Sequence, residues 1–239
     1  LGIDQGLWAS AARALSRGQV LYRDVWDHKP PGIFLTYLAI FNVFGWTAAS
    51  VAWADILAAA AVTLLLFGIV RQELDAQTAA LAAALHATLT MPAWLYSHGG
   101  FLERGVNETF ITLCAAAAAL FASRWRRSAT LPALIAMGVF GGAAIAYKPN
   151  AAVFLPAIFG WAWLYRRRDG AGETRALRAA AVVALSALAV PALVGVWLWS
   201  QGILREAWVA SVAYNLAYVT VSEAAPNHAL EYARAIWLR

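Results

Sequence analysis

The chain has 239 residues, 62% of them hydrophobic and only 13% charged, with mean hydropathy +0.61 and net charge +5. A soluble domain carries about 25% charged residues, so a water-borne all-α core is excluded and the expected solvent is a bilayer. The basic excess is not a nucleic-acid footprint, because 16 of the 18 basic residues are Arg and many lie in short loops between apolar runs, where they report topology.

Residues 1–31 form the first polar region. Leu7, Trp8, Ala11, Ala12 and Leu15 share one helical face, while Ser10, Arg13 and Arg17 leave it. Such a stretch is too short to span, so the pattern predicts an interfacial helix, closed by Gly18. A polar loop, Tyr22-Arg23-Asp24-Val25-Trp26-Asp27-His28-Lys29-Pro30-Pro31, follows. Its proline pair stops any helix before it and can open one after it. Residues 32–44 are apolar but short, a re-entrant or tilted helix, and Gly45 separates them from a full span over 47–70. Further spans are expected at 77–96, 109–123, 130–146, 151–165 and 179–199, the first of them ending in an aromatic belt at Trp94 and Tyr96. Residues 200–239 are mixed and amphipathic, and read as a membrane-surface segment or the start of an extracytoplasmic region. The expected fold is an all-α, polytopic integral membrane bundle in which 1–31 is an extracytoplasmic loop, 32–199 the transmembrane helices and 200–239 an extracytoplasmic amphipathic segment.

The chain opens on Leu1 with no signal peptide and stops at Arg239 without a closing feature, so a fragment lacking N- and C-terminal parts is expected. Its single cysteine, Cys114, lies in an apolar run, which leaves no disulfide framework and no metal cluster. Successive spans put the loops 71–76, 124–128 and 166–178 on one face, with one, three and five Arg respectively. Short loops govern the positive-inside effect, so these belong in the cytoplasm. Asp4, Lys29, Glu103, Glu108 and Lys148 then share the opposite face, and charges converging from separate loops suggest a site.

Each of these residues has a plain reading beside the chemical one. Asp4 fits an N-cap and equally a general base at the membrane surface. Lys29 could simply snorkel. But the chain has only two lysines, and both precede proline, in Lys29-Pro30 and Lys148-Pro149. A rigid backbone that aims a cation suits a phosphate, and Arg23 and Arg104 could add charge. Glu108 is well placed for a helix N-terminus, yet an acid at the membrane edge also marks function. Gln5, Tyr22, Asp27, His28 and Glu103 are expected to line the same site. His28 and His98 lack zinc spacing and read as hydrogen-bonding groups. Asp55, inside a span, is expected to face the bundle and a polar neighbour. No P-loop, G-x-G-x-x-G, G-x-S-x-G or H-E-x-x-H pattern occurs, so nucleotide-driven chemistry has no support and a lipid-carried donor fits an outward-facing enzyme.

Asp4-Gln5, a short amphipathic helix, Lys29-Pro30-Pro31, an apolar helix ending in Phe44-Gly45, and Glu108-Thr109-Phe110 at the start of a later span together resemble the GT-C glycosyltransferases. Within that class the pattern is similar to the bacterial protein O-mannosyltransferases and aminoarabinose transferases (family 39 and the PMT_2-like proteins), over roughly residues 1–165. The resemblance implies a GT-C-like bundle in the inner membrane with its site facing the periplasm. It implies transfer of a sugar from a polyprenyl-phosphate donor to a lipid, glycan or protein acceptor, with Asp4 as base, Glu108 as second acid and Lys29 as phosphate ligand. Gln5 stands where the family has a second carboxylate, and Leu7 where some members have an Arg. No cofactor is called for, and a divalent metal has no support once Gln5 interrupts the acidic pair. The rival readings are a transporter or flippase, which would need mid-membrane charges and paired broken helices, and a non-catalytic scaffold, whose outer-face charges would be dispensable.

Overall fold

The structure, a computed structural model, describes residues 2–90, 105–167 and 173–217. The described residues form helices joined by loops, without a strand. Helix α1 spans Ile3–Ser16 and α2 Gly32–Phe44. Then come α3 (Ala48–Glu73), α4 (Ala76–Leu89), α5 (Asn107–Ser128) and α6 (Leu131–Ile145). A 3-10 turn at Pro149–Val153 leads into α7 (Phe154–Arg167), followed by α8 (Glu173–Ala187), α9 (Ala189–Ser200) and the short α10 (Leu204–Trp208). A π-helical turn, Val209–Ala213, continues α10. Among the described residues, two helical stretches are long and apolar enough to cross a bilayer, Ala48–Glu73 and Thr174–Ser200, and α2 and α6 are shorter apolar helices.

Local rules account for most ends. Gly18, at φ +82°, closes α1, with its N–H and that of Gln19 bonded to Leu15 and Ala14 carbonyls. Asp75 caps α4 by accepting from the N–H groups of Gln77 and Thr78 at 2.9 and 2.8 Å. The start of α1 departs from expectation. Gly2 is its N-cap, and Asp4 lies inside the first turn, where a carboxylate complements the helix dipole without capping. The apolar run 77–96 is helical to Leu89; Trp94 and Tyr96 lie outside the described residues. The run expected at 151–165 begins as a 3-10 turn because Pro149 starts it. The last span is longer than 179–199 and is broken at Leu188. Pro191 cannot donate to the Ala187 carbonyl four residues earlier, and that freed carbonyl lies against α6 at Gly142.

α3 and α4 form a hairpin, α5 packs on α3, α6 and α7, and α6 packs on α8 and α9. One apolar cluster joins Trp8, Leu21, Phe34 and Tyr37 to Phe110, Leu198, Ile203, Ala207 and Ala210. A second joins Trp125, Leu134, Met137, Ala162 and Val183. Leu64, Leu193 and Trp199 remain more than two-thirds exposed, a burden that a lipid surface removes. Gly138 and Gly142 form a small-xxx-small stripe on α6 facing α8. A methyl group at Gly142 would overlap the Ala187 backbone carbonyl, which cannot yield as a side chain can. Gly142→Ala is therefore expected to destabilise the bundle by about 1–3 kcal/mol, read as a lowered Tm.

The ion pairs of the described residues lie at two ends. At one end Arg126 pairs with Glu73, Ser123 donates to Glu73 at 2.5 Å, and Arg166 donates to the Trp125 carbonyl at 3.0 Å. The other end gathers Asp55, Glu108 and Lys148. Thus the loops 71–76, 124–128 and the start of 166–178 do share an end.

Candidate active site

The site is assembled from four pieces: α1, the loop 18–31, the junction before α5 and the junction after α6. On α1, Gln5 is buried and its amide oxygen accepts the Gly2 N–H at 2.8 Å, tying down the helix start. Asp4 is exposed, one helical turn before Trp8 and so on the same side of α1. Its charge bears electrostatically on Tyr37, whose hydroxyl donates to the Gly105 carbonyl at 2.9 Å. Trp8 is fully buried and meets Tyr37 edge to face at 5.6 Å.

The loop folds back on itself so that Lys29 overhangs this helix. The Tyr22 N–H donates to the Val25 carbonyl at 2.7 Å, and Asp24 accepts the Val20 N–H at 2.7 Å. Tyr22 takes a left-handed conformation, φ 65°, a strain that a non-glycine residue accepts only where its surroundings hold it. Its hydroxyl donates to the Lys29 carbonyl at 2.7 Å. Burial is the chief reason its phenol is pushed well above the usual range, so it stays a neutral donor. Asp27 is buried and accepts the Lys29 N–H at 3.0 Å, with the ammonium 4.0 Å from the same oxygen. That ammonium lies 5.4 Å from the Trp8 ring, a cation–π arrangement.

Lys148 arrives by a backbone contact. The Gly32 N–H donates to the Ala146 carbonyl at 3.1 Å, and a Cβ on Gly32 would stand 2.5 Å from that oxygen. Only glycine permits the approach. Thr36 and Tyr147 hydroxyls, 2.8 Å apart, and the stacked rings of Phe110 and Tyr147 reinforce it. The two Lys-Pro turns are thereby set side by side, and Lys148 pairs with Glu108. Asp55 anchors the mouth of α5, accepting from the Gly105 N–H at 2.8 Å and the Thr109 hydroxyl at 3.2 Å; these are its polar neighbours. Two buried groups here have unmet hydrogen-bonding capacity among protein atoms, Asp27 Oδ2 and the Asn107 amide, as is common where a site receives polar ligands.

Glu108 stands in the polar first turn of α5. Burial works against its ionisation, but the Lys148 ammonium, its own backbone N–H and the more distant Lys29 charge together hold its carboxyl below the usual glutamate range. A depressed pKa means that the pair's contribution to stability is present above the unfolded-state pKa and is lost as pH falls through the folded-state value. The Tm difference between wild type and Glu108→Gln is therefore expected to vanish in acid, and a pH series of thermal unfolding checks it.

Behind the loop stands a support that sequence reasoning missed. The Ser211 hydroxyl donates to the Tyr22 hydroxyl at 3.1 Å and lies 3.4 Å from the Lys29 carbonyl. The Asn215 amide donates to the His28 carbonyl at 2.8 Å. Tyr214 packs on Trp26 and His28 at 5.2 and 5.5 Å. Ser211 lies in the π-helical turn, a feature frequent at functional sites. The described part of 200–239 is thus built into the loop and core, with Ile203 and Ala210 fully buried. No residue-type pattern in the sequence announces Ser211 or Asn215.

Not every expected residue joins the cluster. Arg23 reaches away, donating to the Gly202 carbonyl at 3.1 Å. His28 does stay beside the cluster, 3.5 Å from Asp27, and is partly exposed. Glu103, Arg104 and His98 lie outside the described residues. Among the described residues no group of His, Cys, Asp and Glu has the spacing to hold a metal. What remains is the Lys148 ammonium paired with Glu108, whose carboxylate also feels the Lys29 charge, and the exposed Asp4 on the side of α1 that carries Trp8: a setting able to bind a phosphate and to accept a proton.

A family model described as dolichyl-phosphate-mannose-protein mannosyltransferase matches residues 28–199, well over half of the chain. The matched stretch includes Lys29, Glu108 and Lys148, and begins after Asp4. No curated protein and no solved structure gives a significant match.

Proposed function

The chain belongs to the dolichyl-phosphate-mannose-protein mannosyltransferase family, which points to a membrane glycosyltransferase of the GT-C type, and we propose from that premise that it moves a sugar from a polyprenyl-phosphate donor to an acceptor hydroxyl. The reaction is a single displacement with inversion. The acceptor oxygen attacks the anomeric carbon as the bond from that carbon to the phosphate oxygen breaks. The electron pair leaves on the lipid phosphate, and the acceptor proton passes to Asp4. Lys29 and Lys148 stabilise the charge that grows on the departing phosphate, and Glu108 orients Lys148.

The observation that carries this reading is that both Lys-Pro turns border one apolar groove, with Glu108 paired to Lys148 and also feeling the Lys29 charge. The groove, of about 370 Å³, is lined by Pro30, Pro31, Pro149, Val194, Leu198 and Trp208 among others. Pro30 and Pro149 directly follow the two lysines, so an anion held by the ammonium groups can lay an isoprenoid chain along it. In this reading the Arg-bearing loops face the cytoplasm, and the bundle is a multi-pass inner-membrane protein whose site opens to the periplasm.

The test is to reconstitute the full-length protein and supply a panel of polyprenyl-phosphate sugars and nucleotide sugars. Acceptor-dependent release of lipid phosphate from one lipid-linked donor, with none from nucleotide sugars, is the expected result. Movement of a lipid or solute across the membrane with no sugar released from any donor would overturn the reading in favour of transport.

A further inference from the structure

The end of the bundle remote from the two lysines holds a second cavity, of about 410 Å³, walled by α5, α6, α7 and α8. Trp125 and Leu134 line it and are buried, Trp163 lines it and is half-buried, and Arg166, Arg175 and Arg178 stand on it. The Arg166 guanidinium donates to the Trp125 and Arg126 carbonyls at 3.0 and 3.1 Å and lies 5.2 Å over the Trp125 ring. Those contacts fix its plane. Arg175 and Arg178, three apart on α8, present their charges on the same side. Among the described residues no carboxylate pairs with any of the three, and nearby Glu73 is taken by Arg126.

Three guanidinium groups at one cavity repel one another unless an anion joins them, and guanidinium is the side chain best matched to phosphate oxygens. The aromatic and aliphatic lining asks for an anion with an apolar body. Leu177 and Leu185, on the same helix, are more than two-thirds exposed and continue the apolar surface towards the bilayer. Basic pockets between membrane helices suit phospholipid headgroups. We propose that this cavity binds the phosphate headgroup of an anionic phospholipid. The inference rests on the membrane reading of the bundle and is independent of the catalytic one.

The experiment takes the full-length protein in neutral detergent micelles and follows Tm during titration with phosphatidylglycerol, phosphatidylcholine or inorganic phosphate. Phosphatidylglycerol is expected to raise Tm by roughly 5 °C at saturation, and the other two to leave it nearly unchanged. Arg175→Gln/Arg178→Gln, at exposed positions, is expected to fold and to lose most of the rise. Arg124→Gln/Arg127→Gln removes equal charge outside this cavity and is expected to keep it. An equal rise with phosphatidylcholine, an equal rise with inorganic phosphate, or equal losses from the two double variants would each overturn the proposal, the last by showing a general surface-charge effect.

Discussion

Asp4→Asn is expected to lower turnover by a factor on the order of 10²–10⁴ while donor binding stays near wild type. The substitution keeps the size of the side chain and removes the proton acceptor. Asp4 is exposed in the first turn of α1, so little of the fold depends on it, and a small loss of dipole stabilisation is the only structural cost expected. Binding, measured by displacement of a fluorescent polyprenyl-phosphate sugar, separates lost chemistry from lost affinity. Asp4→Glu should restore part of the rate, since the base returns about one methylene out of place. Normal turnover in Asp4→Asn would move the base elsewhere, and buried Asp27, whose Oδ2 finds no protein partner, is then the carboxylate to substitute next.

Lys29→Ala is expected to reduce kcat/KM about a hundredfold and to weaken donor binding, because a cation facing a departing phosphate in a dry site is worth a few kcal/mol. The side chain is only 15% exposed and lies over Trp8, so its charge acts in a poorly screened setting. Lys29→Arg should recover binding better than rate, since a longer planar group cannot occupy the same point above the indole. Tyr22→Phe separates position from charge. It leaves the ammonium intact and removes the hydroxyl that holds the Lys29 carbonyl and meets Ser211. A lost hydrogen bond of about 1 kcal/mol predicts a severalfold drop, far smaller than for Lys29→Ala. Losses of equal size in the two variants would mean that Lys29 matters for the loop's fold rather than for its charge.

The lipid cavity and the proposed active site lie at opposite ends of the bundle, so their tests are separable. A variant that loses the phosphatidylglycerol response and keeps acceptor-dependent turnover supports a structural lipid. Loss of both in Arg175→Gln/Arg178→Gln would place that lipid upstream of catalysis, through the stability of α5 and α6, which both ends share.

The sequence alone determined what depends on near neighbours. Apolar runs with Arg-bearing turns are enough to make helices and to send alternate turns to opposite ends. Gly18 closes α1, the Pro30-Pro31 pair opens α2, and Glu108 falls in the first turn of α5, because caps and proline act within a few residues. The limits of the helices were less legible where one atom decides them. Gly2 rather than Asp4 caps α1, and Pro191 breaks the last span by leaving Ala187 without a donor. Only the tertiary structure decided the site itself. The two Lys-Pro turns come to one groove because the Gly32 N–H bonds the Ala146 carbonyl at a separation no other residue allows. Lys29 is held in place by Ser211 and Tyr22, and Asp55 by Gly105 and Thr109. Hydrophobic periodicity says which face of a helix is buried but carries no distance between one helix and another; that distance is set by close backbone contacts and hydrogen bonds between residues far apart in the chain, which exist only once the bundle has packed.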